Sequence, residues 1–214
     1  MKTDRSSRGW LYVDDAVGAL TAAAARVCRI VFDRGTRRER AVATAFLASP
    51  DRLVTAAHVW PSVRAGRTRR DAIACVFADG EVRPLARDWL ITIDDALDVS
   101  VVQLASAMNP QRGWLEVPRF APMLARDSAV YVVQWPAGER PSVTAGVVRR
   151  ADATRIVYTA STMGSSSGAP VFDARMRLTA MHRGATADHA NEGVLLSPLA
   201  RELYGRASSD RFRE

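Results

Sequence analysis

Short runs of β-branched and apolar residues, separated by turn sequences, occur along most of the chain. Five of them lie in the first half, at positions 26–32, 42–47, 52–56, 73–77 and 99–104. Six more lie in the second half, at positions 129–134, 142–149, 156–159, 169–172, 178–182 and 193–196. Many short strands joined by turns are typical of β-barrels and sandwiches. The two series, similar in size, therefore predict an all-β fold in which two antiparallel barrels pack together.

Helical signals flank these strands at both ends of the chain. An alanine-rich segment from Asp14 or Asp15, both acceptable N-caps, to Ala25 predicts a short N-terminal helix. Apolar side chains at helical spacing predict a closing helix over residues 198–206.

The chain has the length and composition of one large domain. Its 214 residues, of which 48% are hydrophobic, can bury a sizeable core. No linker, repeat or low-complexity tract divides them. We therefore expect a single domain over residues 1–214, with the first barrel at about 26–115 and the second at about 120–205.

No segment of the sequence predicts membrane insertion or export. The longest apolar run, residues 16–25, is too short to span a bilayer. Asp14 and Asp15 interrupt the apolar region that a signal peptide needs. We expect a cytoplasmic protein that does not associate with membranes.

The charge of the protein is carried by arginine. The formal net charge is +7, and Lys2 is the only lysine. Such a surface attracts acidic partners in general. The arginines form only short clusters, and no aromatic-rich or helix-turn-helix pattern accompanies them, so we do not expect a nucleic-acid partner.

The sequence contains only two cysteines and three histidines, so few side chains of these types could bind a metal. Cys28 and Cys75 belong to no metal or redox motif; they could form one disulfide, but we expect two buried thiols. His189 lies in a polar loop and is expected to be solvated. We expect no metal centre and no cofactor.

Three separate segments carry the residue types that nucleophilic catalysis by serine requires. These are a base, a carboxylate that orients it, and a hydroxyl beside backbone donors. His58 follows a strand that ends in small residues, which leave room for close packing around the base. Asp98 directly precedes the apolar run 99–104, where burial favours an orienting carboxylate. Asp94 and Asp95 lie nearby as competitors for this role.

The third segment surrounds Ser167. Gly168 allows the sharp backbone geometry that exposes the preceding hydroxyl, and Ala169 and Pro170 lead into a strand. A Gly/Ser-rich stretch alone would indicate a flexible loop. The order of histidine, aspartate and serine along the chain favours a catalytic site instead.

Three blocks of the sequence resemble the signature of trypsin-like serine peptidases, in the order that the family has them. They are Thr-Ala-Ala-His at 55–58, Leu-Asp-Val-Ser-Val at 97–101 and Ser-Gly-Ala-Pro at 167–170. The segment 43–47 also resembles the family's Gly-Thr-Gly-Phe strand, with alanine in place of both glycines. Together with the strand pattern, the likeness covers roughly residues 26–205.

The resemblance implies a chymotrypsin-like double barrel with the active site between the two halves. It implies that His58 is the general base, Asp98 its orienting carboxylate and Ser167 the nucleophile, with the N–H groups of Ser165 and Ser167 as the oxyanion hole. The expected function is that of a serine endopeptidase acting on a protein or peptide. Related bacterial peptidases often accompany signalling or defence modules, which leaves a regulatory protein partner open.

Two residues beside Ser167 depart from the family pattern. Ser166 replaces the aspartate that binds a newly freed N-terminus in pancreatic-type enzymes, so that activation route is lost. Ser165 replaces the usual glycine of the oxyanion loop. A non-glycine residue in an unusual backbone region costs about 1–3 kcal/mol, which predicts a strained or incompletely formed oxyanion hole.

A closer resemblance links the chain to glutamyl endopeptidases of the same class. In these enzymes a threonine five residues before the nucleophile and a histidine fifteen after it contact an acidic substrate side chain. Thr162 and His182 lie at these spacings from Ser167, and Arg183 could add positive charge. The resemblance thus implies cleavage after Glu or Asp, with a bell-shaped pH dependence if His182 binds the carboxylate in its protonated form. Alternatively, His182 only packs within its strand.

Two other functional interpretations stay open at this stage. A catalytically silent peptidase-like module would use the same cleft to bind a peptide or partner, with Ser165 as the cause of its inactivity. An arginine-rich nucleic-acid binder would show a steeply salt-dependent affinity for polyanions.

Overall fold

The computed structural model describes residues 13–120, 124–200 and 203. Twelve strands in these ranges form two closed barrels of six antiparallel strands each. The predicted all-β double barrel is confirmed. The assignment of all 214 residues to one peptidase domain stays a prediction.

The first barrel has the strand order β1-β2-β3-β6-β5-β4, and β1 pairs with β4 to close it. Its strands are β1 (Val27–Phe32), β2 (Arg40–Leu47), β3 (Arg52–Ala56), β4 (Ala74–Phe77), β5 (Val82–Asp94) and β6 (Val99–Leu104).

The second barrel has the order β10-β11-β12-β9-β8-β7, and β10 pairs with β7 to close it. Its strands are β7 (Ala129–Gln134), β8 (Ser142–Ala151), β9 (Arg155–Tyr158), β10 (Pro170–Asp173), β11 (Leu178–Ala185) and β12 (Asn191–Leu195).

Few helices accompany the barrels in the described ranges. The predicted N-terminal helix is α1 (Val13–Ala25), which carries two aspartates in its first turn. These carboxylates face the positive end of the helix dipole, where negative charge is stabilising. The α-helix α2 (Pro61–Arg64) is a single turn. The 3₁₀ helices are Ala57–Val59, Arg70–Ala72, Pro110–Arg112, Pro136–Gly138 and Ser197–Leu199.

The predicted C-terminal helix over 198–206 falls largely outside the described residues, which lack 201, 202 and 204–206. The described part is the 3₁₀ turn Ser197–Leu199, and Leu203 is buried in the core.

Among the twelve described strands, β5 is the one that the sequence pattern did not predict. Its side chains are mostly exposed or half-buried, and Pro84 interrupts the β-branched pattern. Its pairing with β6 is also irregular, with register shifts after Leu85 and after Leu90. A strand without a continuous buried face has no period-2 signal, which explains why it was missed.

One apolar cluster joins the two barrels. It includes Phe46 and Trp60 from the first half of the chain together with Trp135, Phe172 and Met181 from the second. A smaller cluster fills the inside of the second barrel. The barrels therefore pack through a shared core, and the cleft between them is a fixed feature of the fold.

Cys28 and Cys75 lie on the neighbouring strands β1 and β4. Both are buried free thiols, as expected. Burial, with the neighbouring Cys75 thiol, raises the pKa of the Cys28 thiol well above its usual value. A thiol held neutral in this way is chemically inert.

Candidate active site

His58 and Asp98 meet at the edge of the first barrel. His58 lies in the 3₁₀ helix Ala57–Val59 directly after β3, and Asp98 lies just before β6. His58 Nδ1 is 2.8 Å from Asp98 Oδ2, and the His58 backbone N–H donates to Asp98 Oδ1 at 2.9 Å. A third hydrogen bond runs from the Ala57 N–H to the Asp98 carbonyl at 3.1 Å. The carboxylate thus fixes both the ring and the backbone of the histidine.

The charge on Asp98 determines which imidazole tautomer it holds. Burial raises the pKa of this carboxyl, but hydrogen bonds from the ring and backbone of His58, with the charges of His58 and Arg183, outweigh burial and leave the pKa below its usual value. An ionised carboxylate only accepts hydrogen bonds. Nδ1 therefore carries the hydrogen in this pair, and Nε2 of the neutral ring has a lone pair available for a proton.

The competing carboxylates are engaged elsewhere. Asp94 Oδ1 accepts from the N–H groups of Ala96 and Leu97 and closes the loop before Asp98. Asp95 forms an exposed ion pair with Arg64 at 3.2 Å. Of the three aspartates, Asp98 is the one in contact with His58.

Ser167 lies in the loop before β10. The first barrel helps to hold this loop in place. The Thr44 N–H donates to the Ser167 carbonyl at 2.9 Å, and the Gly168 N–H donates to the His182 carbonyl at 2.8 Å. The Ser167 hydroxyl donates to the Arg183 carbonyl at 3.4 Å. Among the described residues it makes no hydrogen bond to His58, so the predicted nucleophile and the predicted base are not hydrogen-bonded to each other.

Gly168 is required by the packing of this loop. Its φ is +89°, in the left-handed region, and a Cβ at this position would lie 2.1 Å from the Thr44 carbonyl oxygen and 2.3 Å from Thr55 Oγ1. Only glycine lets the loop approach β2 and β3 so closely.

The oxyanion loop contains a serine in a conformation that favours glycine. Ser165 has a φ of +69°. Its hydroxyl donates to the Ala41 carbonyl at 3.1 Å, and Thr44 Oγ1 donates to the Ser165 carbonyl at 2.8 Å. The N–H groups of Ser165 and Ser167 donate to no acceptor in the described part of the chain. The loop therefore presents two free donors despite the serine.

Ser166 is a structural residue of the same loop. It is buried, and its hydroxyl accepts from the Met163 N–H at 3.1 Å, while its own N–H donates to the Met163 carbonyl. The side chain therefore faces the interior of the loop and is separate from the Ser167 hydroxyl.

His182 is buried on β11 and contacts Tyr158, a residue that the sequence did not single out. The Tyr158 hydroxyl lies 2.7 Å from His182 Nδ1. Burial, with a smaller contribution from the charge of His58, lowers the pKa of His182 to about 4. The expected protonated form is therefore wrong for the free protein at neutral pH, because an imidazolium would have to be buried there without an acidic partner.

The other two predicted pocket residues bind protein groups. Thr162 donates to Asn191 Oδ1 at 2.7 Å, and Arg183 forms ion pairs with Asp98 and Glu192. The structure does not bring Thr162 and Arg183 together with His182 through hydrogen bonds. Glu192 and Asn191 were also missed, because their roles depend on the pairing of β11 with β12 across a turn.

A cleft of about 530 Å³ runs along this site. Its walls come from both barrels: Ala57, His58, Pro61, Asp95, Asp98, Arg183, Gly184, Ala185 and Glu192. Such a cleft, with a base and a fixed carboxylate on its wall, has the form of a substrate-binding groove.

The described residues contain neither a metal-binding cluster nor a membrane-spanning helix. In that part of the chain no group of three or more His, Cys, Asp or Glu residues is arranged to hold a metal ion. Among the helices described there, none is long and apolar enough to cross a membrane.

Comparison with protein families agrees with the observed fold. Residues 43–181 match the model of the trypsin-like peptidase domain, which is more than half of the 214 residues. The chain therefore belongs to the trypsin-like peptidase family. No curated protein sequence gives a significant match.

Solved structures of proteases share this fold. The active form of the Rv3671c protease from M. tuberculosis is 18% identical, with a TM-score of 0.67 over 87% of this chain and 82% of that one. The HtrA-type protease AlgW, determined with a tripeptide, is 16% identical, with a TM-score of 0.66 over 87% of this chain and 61% of that one. A serine endoprotease from Yersinia pestis is 16% identical, with a TM-score of 0.66 over 86% and 63%. The chain thus spans less than two thirds of the last two proteins.

Proposed function

We propose that the protein is a serine endopeptidase in which His58, Asp98 and Ser167 form the catalytic triad. The observation that carries the proposal is the two-point hydrogen bonding between His58 and Asp98 on the wall of the cleft. It supplies an oriented base whose Nε2 is free to accept a proton. The Ser167 loop is hydrogen-bonded to Thr44 of the barrel that carries His58, and the N–H groups of Ser165 and Ser167 have no acceptor among the described residues.

The reaction follows from these groups. The Ser167 hydroxyl turns from the Arg183 carbonyl toward His58 and attacks the carbonyl carbon of the scissile bond. His58 Nε2 takes the hydroxyl proton and later returns it to the leaving amine, while Asp98 stabilises the imidazolium in between. The N–H groups of Ser165 and Ser167 hold the negative charge on the tetrahedral intermediate. Water then repeats the sequence to release the acyl group.

A covalent phosphonate probe tests this function. The purified protein should be labelled rapidly at Ser167, as located by mass spectrometry, because only a serine activated by a neighbouring base reacts quickly. The Ser166→Ala variant should be labelled like the wild type, and Ser167→Ala should not. A folded wild-type protein that stays unlabelled while it binds peptides in the cleft would instead support the silent binding module.

We further propose that the enzyme cuts after Glu or Asp, with His182 as the group that binds the acidic side chain. The Tyr158 hydroxyl lies 2.7 Å from His182 Nδ1, and in this proposal it donates its hydrogen to that nitrogen. The hydrogen of the neutral ring is then on Nε2, which makes no hydrogen bond to a described residue. A neutral N–H donor of this kind can bind a carboxylate without prior protonation.

Profiling a peptide library before and after substitution tests this specificity. His182→Ala should reduce the preference for acidic over neutral residues by about ten- to a hundredfold in kcat/KM, because a buried carboxylate without its donor loses about 1.5–3 kcal/mol. Tyr158→Phe is the matched control: it keeps the aromatic ring at position 158 and removes only its hydroxyl. It should weaken the preference for acidic residues less than His182→Ala does. Cuts that cluster after Arg, Lys or large apolar residues would contradict the specificity and leave the triad intact.

Substrates are expected to be proteins or peptides. The same proposal includes a regulatory protein partner, which would be recovered together with the protein from its cells. It also includes a cytoplasmic location, which fractionation of those cells tests.

A further inference from the structure

Arg183 occupies an unusual place beside the proposed triad. It lies on β11 of the second barrel, and its Nε donates across the cleft to Asp98 Oδ2 at 3.2 Å. The same oxygen accepts from His58 Nδ1 at 2.8 Å. One carboxylate oxygen is thus shared between the base and a permanent cation.

A second carboxylate holds the guanidinium in place. Arg183 Nη1 donates to Glu192 Oε1 at 2.8 Å, and that oxygen also accepts from Arg155 Nη1 at 2.7 Å. Arg155 Nη2 in turn donates to the carbonyl of Ala96, in the loop that leads to Asp98. These contacts form a bridge that begins at Asp98, runs through Arg183, Glu192 and Arg155, and ends at Ala96 on the same segment as Asp98. A bridge anchored at both ends fixes the geometry more firmly than a single surface ion pair would.

The electrostatic effect of this bridge opposes that of Asp98. The carboxylate stabilises a protonated imidazole, whereas a cation on the same oxygen destabilises it. Glu192 offsets part of the cationic charge. The charges beside the His58 ring are then those of Asp98, Arg183 and Glu192 together, in place of Asp98 alone.

We propose that Arg183 is a positioning residue that sets the pH range of catalysis by sharing Asp98 with His58, and that Glu192 holds it there and limits its effect. The proposal rests on the proposed triad function. It concerns the charge of the side chain only, because the contact of Arg183 with Ser167 is made by the backbone carbonyl.

Other charged and titratable groups also face the pair. Asp95 and Arg64 form an exposed ion pair on the first-barrel side, with side chains 66% and 44% accessible, so solvent screens them. His182 lies on β11 and is buried without charge at neutral pH. These groups stay unchanged in the variants that test Arg183.

The test compares four variants in kcat/KM as a function of pH. Arg183→Met should move the acidic limb of the profile up by about one pH unit, since the imidazolium loses a nearby unit charge that opposed it. Glu192→Gln should move the limb in the opposite direction, because the charge of Arg183 is then no longer offset by Glu192. Arg183→Lys should restore most of the wild-type position. Arg64→Met, which removes a screened charge at the rim, should leave the limb where it is.

A second readout is independent of turnover. The titration of the His58 ring, followed by NMR in a Ser167→Ala background, should show the same opposite displacements. If the wild-type protein shows neither cleavage nor phosphonate labelling while the ring titration responds as stated, the endopeptidase proposal fails and the coupling of Arg183 to His58 stands. The inference would be overturned if neither the acidic limb of the kcat/KM profile nor the His58 titration shifted in the variants. It would also be overturned if both shifted in the same direction in Arg183→Met and Glu192→Gln.

Discussion

The two halves of the proposed triad are held in different ways. On the first-barrel side, ring and backbone hydrogen bonds of 2.8 and 2.9 Å lock His58 to Asp98. On the second-barrel side, backbone hydrogen bonds fix the Ser167 loop, but the hydroxyl donates weakly to the Arg183 carbonyl at 3.4 Å. The proposed base is thus pre-organised, whereas the proposed nucleophile needs a side-chain rotation to reach it. Catalysis depends on whether the two halves act as one unit once substrate is bound.

The largest expected effect tests that unity directly. Ser167→Ala and His58→Ala should each lower kcat by up to about a million-fold, and the double variant should lose little more. Single-turnover and steady-state assays on a cleavable peptide measure this. Ser166→Ala is the neighbouring control and should lose far less. Effects that multiply in the double variant would show that the two residues act separately.

The next effect concerns the rigid half alone. Asp98→Asn should lower kcat by roughly ten-thousand-fold, because an amide no longer enforces the imidazole tautomer or stabilises its charge. The variant Asp95→Asn alters an exposed carboxylate in the same cleft and should change kcat little. Equal losses in the two variants would mean that the general charge of the cleft matters more than the contact between His58 and Asp98.

A smaller effect separates two histidines of the second barrel, the buried His182 and the exposed His189. The folded-state pKa of His182, about 4, lies below the unfolded value of about 6.5, so the unfolded chain binds the extra proton between these values. The stability from this site is present above pH 6.5 and is lost as pH falls toward 4, by roughly 3 kcal/mol. Denaturant unfolding from pH 7 to pH 4 measures it.

His182→Gln should remove this part of the pH dependence. His189→Gln, at an exposed position, is the control and should keep the wild-type slope. A slope that persists without His182 would assign the acid sensitivity to other groups.

The smallest effect concerns the oxyanion loop. Ser165→Gly should raise basal kcat/KM by a few-fold, because the left-handed conformation at a φ of +69° costs a serine about 1–2 kcal/mol and costs glycine almost nothing. The loss of the hydrogen bond to Ala41 offsets part of the gain. Titration of active sites separates a larger active fraction from a faster step. An unchanged rate in a folded variant would show that the native loop is already fully populated.

The first barrel was easier to predict than the contacts between the barrels. Runs such as 52–56 and 99–104 became strands with those bounds, because their buried faces leave a clear signal in the sequence. The strand β5 left none, because few of its side chains are buried. Asp98 was preferred to Asp94 and Asp95 because it adjoins an apolar run, and of the three it is the one that contacts His58.

Long-range pairing is what the sequence could not supply. The spacing of His182 from Ser167 suggested a pocket, but it gave no sign that Tyr158 would lie against the ring or that burial would keep it neutral. The positive charge of Arg183 was noticed without its partners, since Asp98 and Glu192 approach it only after the strands of both barrels have assembled.

The apolar cluster shared by the two barrels makes them depend on each other during folding. Phe46 and Trp60 lie in the same buried cluster as Trp135, Phe172 and Met181, so separation of the halves would expose large side chains on both. A chain divided between β6 and β7 would therefore yield fragments that aggregate or reassemble, whereas the intact protein would melt in one cooperative transition. The cleft lined by His58 and Asp98 should disappear in that same transition, because its walls come from both barrels.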